Sequence, residues 1–436
     1  MSTEKDDFPI LVVEDERPEQ VVSHLLEQAV RLGASDLLFA PQEDGLIVQV
    51  RHLGVFRLFS SLSREVGHHC IGHIKAMSGM DVVEHRRPLD GRWSHPLEDG
   101  SRIDLRVNVL PTLHGEDCSI RLLSRDRRLR KLDSLGLSGG ELADLLAMLS
   151  CPSGLILVTG PTGTGKTTTL YACLDWLNNG ERKINTIEDP VEYELEGVRQ
   201  SQVNARIELG FPELLRGVLR QAPDVIMVGE VRDPVTAVTV VHAANCGHLV
   251  LATAHAPTAS AAVQSLRSWG VHPHFLASSL LGVIAQRLVR TLCPDCRSLR
   301  GPDDLAYSCG EEGRQVWSAR GCPSCHGTGY GARTGVFEVL RLTPPLRRLI
   351  AADHPTHALR EQAVRDGLVE RVRRPCSRST RGQTTPEEVA RTVPHEHLPA
   401  DDKPPRGAAP PAPDQQPAGA FAATLPSNRA AEGALS

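Results

Sequence analysis

Gly160-Pro161-Thr162-Gly163-Thr164-Gly165-Lys166-Thr167 fits the pattern G-x-x-x-x-G-K-[ST] in full. The apolar stretch Leu155–Val158 precedes it, and a segment with helical spacing, 165–178, follows. A strand, a glycine-rich loop and a helix in that order make a phosphate cradle. The glycines let backbone N–H groups turn inward around phosphate oxygens. The helix N-terminus adds partial positive charge. Lys166 should reach the β- and γ-phosphates of ATP, and the Thr167 hydroxyl should ligate Mg²⁺. Thr168 closes the expected nucleotide-binding run, which begins at Gly160.

Outward from this loop, short apolar strands alternate with helices. Strands are expected at 155–159, 184–187, 224–228 and 248–252, with helices at 165–178, 234–246 and 257–269. Asp233-Pro234 supplies a helix N-cap and a first-turn proline, while Gly247 and Gly270 stop helices. This alternation means an α/β layer with a mainly parallel sheet. Upstream, Val22, Leu25, Leu26, Ala29 and Leu32 share one helix face, which Gly33 closes. Leu46, Val48 and Val50 alternate as a strand face, as do Ile103, Leu105, Val107 and Val109.

The expected organisation is therefore a flexible lead-in over 1–17 and a small α+β domain over 18–123. A linker and helix follow over 124–150, beginning with the charge run SRDRRLRK. A nucleotide-binding domain should span 151–393, with a cysteine-bearing insertion at 291–333 and helical residues after it. The segment 394–436 has nine prolines and one aromatic, Phe421. Such a tail buries too little surface to fold alone.

Composition excludes several classes. The chain has 436 residues and a net charge of −5, which argues against a general nucleic-acid binder. Residues 1–20 lack the apolar core of a signal peptide, and no apolar run is long enough for a bilayer. Eleven cysteines are too few and too scattered for a disulfide framework, so a reducing compartment, the cytosol, is expected.

Two strands should end in acids near the phosphate loop, because ligands gather at the carboxyl ends of strands in such sheets. Val225–Val228 leads to Gly229-Glu230, where the carboxylate could orient water or hold Mg²⁺ through water. Ile184–Ile187 leads to Glu188-Asp189-Pro190-Val191-Glu192. There Glu188 could polarise water, and Asp189 and Glu192 could bind metal or set the turn. His255 follows another apolar strand, and could reach the nucleotide or a neighbouring subunit. The pairs Cys293/Cys296 and Cys322/Cys325 have C-x₂-C spacing, compatible with a closed, structural Zn²⁺ site. Cys309 is expected to be free.

Taken together, GLILVTGPTGTGKTTTLYA, TIEDPVEYELEGVRQSQVN, LRQAPDVIMVGEVRD, GHLVLATAH and AQRLVRTLCPDC resemble the GspE/PilB-type secretion ATPases. These are the motors of type II secretion and type IV pilus assembly, and the resemblance covers about 18–393. It implies an N2 domain followed by a RecA-like P-loop ATPase domain with a four-cysteine zinc module. It also implies a homo-hexamer at an inner-membrane platform protein of a bacterium, cytoplasmic and peripheral to the membrane.

Residue by residue, Lys166 and Thr167 match the Walker A pair and Glu230 the Walker B glutamate. Glu188 matches the family's water-activating residue, and His255 the His box. Arg106 and Arg121 resemble N2 arginines that approach the nucleotide phosphates. The chain departs from the family pattern at Leu38, Ala40, Ala222 and Pro257, and the resemblance implies a short form without the N1 domain of longer relatives. A scaffold with little hydrolysis and a motor linked to DNA uptake are the alternatives. The paired cysteine module argues against a retraction motor.

Overall fold

The computed structural model describes residues 8–11, 17–123, 129–300, 316–368 and 382–392. The expected tail, residues 124–128 of the linker run, Cys309 and most of the lead-in (1–7 and 12–16) lie outside the described residues.

Helix α1 (Pro18–Arg31) starts the first unit. Strands β1 (Asp36–Gln42), β2 (Gly45–His52) and β3 (Val55–Leu62) follow. Next come α2 (Arg64–Met77), β4 (Leu89–Pro96), β5 (Arg102–Thr112) and β6 (Gly115–Leu123). All six strands pair antiparallel in the order β3-β2-β1-β6-β5-β4. The apolar faces read from sequence pack inward with the apolar side of α1, and Val22, Leu25, Leu26, Val48, Leu105 and Val107 are all buried. Gly33 takes φ +67°, and its N–H donates to the Val30 carbonyl while Ala34 N–H reaches Ala29. That double closure ends α1 as the glycine predicts. One expectation fails here. Part of the lead-in is docked, since Phe8 is buried and Leu11 N–H donates to the Phe59 carbonyl on edge strand β3.

The second unit begins with α3 (Gly139–Leu149) and β7 (Gly154–Thr159). The next elements are α4 (Lys166–Leu177), β8 (Ile184–Glu188), β9 (Arg199–Gln202), α5 (Phe211–Leu219) and β10 (Val225–Val228). Then come α6 (Pro234–Asn245), β11 (Leu249–Ala254), α7 (Ala259–Ser268), α8 (Pro273–Ser279) and β12 (Leu280–Leu292). Short strands β13 (Arg297–Arg300) and β14 (Val316–Ala319) pair with each other, and β15 (Tyr330–Arg341) returns beside β12. Helices α9 (Pro344–Ala351), α10 (Thr356–Arg365) and α11 (Pro386–Thr392) end the described chain.

The sheet order is β15-β12-β7-β11-β10-β8-β9, and every pair except β12/β15 is parallel. Strand β7 is buried throughout. Leu155 and Leu157 join the core on one face, Ile156 and Val158 the core on the other. A sheet covered on both faces needs such unbroken apolar strands. The N-cap at Asp233 forms as expected, accepting from Thr236 N–H at 2.8 Å. The cysteine segment, however, is followed first by strand and not helix. Val336-Phe337-Glu338-Val339-Leu340 is buried on both sides and zips along β12.

Candidate nucleotide site and cysteine cluster

The loop 160–165 leaves β7 and opens α4, as its pattern requires. Gly160, Gly163 and Gly165 have φ of +150°, +77° and +83°. A Cβ at Gly160 would lie 2.4 Å from the Gln286 carbonyl oxygen, so no other residue fits there. Lys166 Nζ donates to the carbonyls of Gly160 (2.8 Å) and Pro161 (3.0 Å), so its ammonium lies over the loop. Burial pulls the Lys166 pKa below its ordinary value, and Arg287 adds to this while Glu230 opposes it. Thr167 and Thr168 sit half-exposed in the first turn of α4.

The parallel strands bring the expected acids and histidine to this end of the sheet. Glu230 follows β10 and His255 follows β11, its next neighbour. His255 Nε2 lies 2.6 Å from Glu230 Oε1, and Arg232 lies 2.6 Å from Oε2. Burial penalises the Glu230 charge, but Arg232 and His255 outweigh it and hold the carboxyl below its ordinary value. Arg232 also reaches Asp189 at 3.7 Å, which ties the end of β8 to the end of β10.

Glu188 is not brought to this group. Its side chain is only 2% exposed and faces the interior. Thr186 donates to it at 2.6 Å, Gln200 at 3.1 Å, and the Tyr171 hydroxyl also donates. Burial, then the Glu188 carboxylate, pushes the Tyr171 phenol well above its usual range. A buried carboxylate held by three donors ties α4, β8 and β9 together, which is at odds with the water-activating role expected of it. The exposed acids of this segment are Asp189 and Glu192.

Arg106 and Arg121 stand directly opposite each other on β5 and β6. Arg121 Nε lies 3.3 Å from Asp36. Arg106 points toward the acids after β8. Burial lowers its pKa, and Glu192 and Asp189 are near enough to oppose that effect.

Two further residues escaped the sequence reading. Gln286 on β12 donates to the Thr164 carbonyl and accepts from the Thr169 hydroxyl, both at 2.7 Å, and so clamps the loop from both sides. Arg232 braces Glu230. Both lie inside the quoted motif strings, but nothing in their spacing reveals the partner across the fold.

The four cysteines converge. All four sulfurs lie within 4.8 Å of one another. Cys293–Cys322 and Cys296–Cys325 are 3.8 Å apart, and Cys322–Cys325 is 3.7 Å. A tetrahedron of Zn–S bonds of about 2.3 Å has sulfur–sulfur edges of about 3.8 Å. These separations are far beyond a disulfide bond. Backbone N–H groups of Cys322 (3.2 Å) and Gly329 (3.1 Å) donate to Cys325 Sγ, as they do around a bound thiolate. The donor set fits zinc.

The profile of the "Type II/IV secretion system protein" family matches residues 13–391. The chain belongs to that family. Type II secretion system ATPase E of Vibrio cholerae is 40% identical over 399 residues, covering 89% of this chain and 76% of that protein. Type II secretion system protein HxcR of Pseudomonas aeruginosa is 43% identical over 394 residues, covering 89% and 81%. Among solved structures, the Legionella pneumophila ATPase DotB superposes with a TM-score of 0.65 at 20% identity, covering 88% of this chain and 98% of that one. The pilus retraction motor PilT with bound ADP gives 0.55 at 25%, covering 84% and 95%. This member of the type II/IV secretion family shares the DotB and PilT architecture of mixed α/β layers with a mainly parallel sheet. Among its described residues, no helix is long and apolar enough to cross a membrane.

Proposed function

We propose that this chain is an ATPase motor of a type II secretion or type IV pilus assembly system. The observation that carries the reading is the complete phosphate loop beside Glu230, Arg232 and His255, all at the carboxyl ends of neighbouring parallel strands. The secretion ATPases among its relatives support the same class.

In the proposed reaction the loop N–H groups and Lys166 hold the phosphates of ATP. Thr167 and, through water, Glu230 would hold Mg²⁺, which supplies charge neutralisation at the phosphates. Glu230 orients a water against the γ-phosphorus. The new P–O bond forms as the bond to the β–γ bridging oxygen breaks, giving ADP and inorganic phosphate, and the water proton passes to solvent. Arg106 and Arg121 balance the charge that develops on the γ-phosphate oxygens. His255 positions Glu230. The cysteine cluster would hold one structural Zn²⁺, keeping the hairpin of β12 and β15 closed at its tip.

The reading includes a homo-hexamer docked on an inner-membrane platform protein from the cytoplasmic side, with no direct nucleic-acid partner. ATP turnover against protein concentration, with mass measured in parallel, tests it. Turnover should rise with assembly and vanish in Lys166→Ala. Undiminished turnover in that variant would remove the site assignment.

A further inference from the structure

The open face of the first sheet carries a row of arginines. Strand register sets Arg92 opposite Arg106 and Arg106 opposite Arg121. The row continues to Asp36 opposite Arg121 and Arg51 opposite Asp36. Directly opposed residues share a face with Cβ atoms about 5 Å apart. Leu105 and Val107, flanking Arg106, are buried toward the helices, so the arginines occupy the other face.

The charges in this row are unevenly answered. Asp36 serves Arg121 and Arg51, each at 3.3 Å. Arg92 and Arg106 make no ion pair with a carboxylate among the described residues, although they stand side by side. Like charges directly opposite one another destabilise a sheet. Burial is the main influence on Arg106, but Arg92 and Arg121 both press its pKa further down, so the repulsion reaches across all three strands. Arg106, in the middle of the row, is near enough to Glu192 and Asp189, at the nucleotide end of the second sheet, to feel their charge. Three forked cations side by side on one sheet face, the middle one beside those acids, suit a ligand that carries several negative charges on oxygen.

We propose that Arg92 is a third phosphate-binding arginine, which closes with Arg106 and Arg121 on the triphosphate of ATP held by loop 160–167. The inference rests on the ATPase reading given above. It assigns the γ-phosphate end to a row of cations and makes closure of the first sheet over the site dependent on a triphosphate. ADP, one phosphate shorter, engages the row less.

Purified full-length chain tests it with four variants: Arg92→Gln, Arg92→Lys, Arg106→Gln and Lys166→Ala. Arg92→Gln should lower kcat about tenfold and narrow the preference for ATP over ADP binding by a similar factor. Arg92→Lys, which keeps the charge but loses the fork, should recover part of both. Because Arg92→Gln removes a like-charge contact, its melting temperature without nucleotide should equal or exceed that of the wild type. Wild-type kcat and ATP preference in Arg92→Gln, alongside an impaired Arg106→Gln, would overturn the role of Arg92 alone. Retained turnover in Lys166→Ala would overturn the underlying site and the inference with it.

Discussion

His255 Nε2 sits 2.6 Å from Glu230 Oε1, joining the ends of two adjacent parallel strands that are 25 residues apart in sequence. With Arg232 on the other oxygen, both oxygens of the carboxylate are held. Glu230→Gln keeps the shape but removes the charge. It should lower phosphate release on the order of 100-fold or more while nucleotide binding persists. His255→Gln should cost less, about tenfold, since Arg232 still orients the carboxylate. Equal losses in the two variants would mean that His255 does more than position Glu230.

Gln286 grips the phosphate loop at Thr164 and Thr169 through two short hydrogen bonds. Gln286→Leu leaves a buried carbonyl and a buried hydroxyl unpaired. The expected loss is on the order of 2 kcal/mol in denaturant unfolding, with a raised KM for ATP. A stability loss with unchanged KM would make the clamp structural only.

The sulfur tetrahedron formed by Cys293, Cys296, Cys322 and Cys325 predicts about one zinc per chain by metal analysis. Cys322→Ser should lower the metal content and the melting temperature together. A zinc-free chain with wild-type melting would show that the four thiols suffice without metal.

Glu388 is fully buried and accepts from Arg290 at 2.9 and 2.8 Å and from Arg391 at 2.8 and 2.7 Å. Burial opposes its charge, but the two guanidiniums hold its pKa below the ordinary 4.5. A depressed carboxyl contributes stability that is full above the unfolded pKa and fades as pH falls through the folded one. Acid unfolding should therefore begin below about pH 4.5 for this contact, and Glu388→Gln should flatten that part of the profile. Truncation after 393 should leave melting and turnover intact. Truncation after 381 removes Glu388 from Arg290 and should cost about 3 kcal/mol or more.

Ala222 lies at φ +49°, in the left-handed region that costs a residue with a Cβ roughly 1–2 kcal/mol. Ala222→Gly should raise stability by about 1 kcal/mol, read as a higher melting temperature. No gain would mean that the added chain entropy of glycine cancels the relief.

The phosphate loop, the alternation around it and the C-x₂-C spacings were legible in the chain because each is a local pattern. Loop 160–165 needs its glycines and Lys166 in fixed order, and β7 needs an unbroken apolar run. The same locality misled at Glu188, whose place at a strand end promised contact with the nucleotide. Only the packing of α4 and β9 against β8 shows Tyr171 and Gln200 closing over it. The strand Tyr330–Arg341 was likewise unreadable, since its buried run suits helix or strand until β12 offers it a ladder.

The sequence alone determined the phosphate cradle, the parallel layer and the four metal-type cysteines, because periodicity and short-range geometry specify them. Tertiary structure alone decided that Glu230 meets His255 and Arg232, that Gln286 holds the loop, and that the arginines of β4, β5 and β6 stand in one row. Those relations join residues far apart in the chain. They depend on strand order and register, which follow from the burial of both sheets and are written in no single stretch of residues.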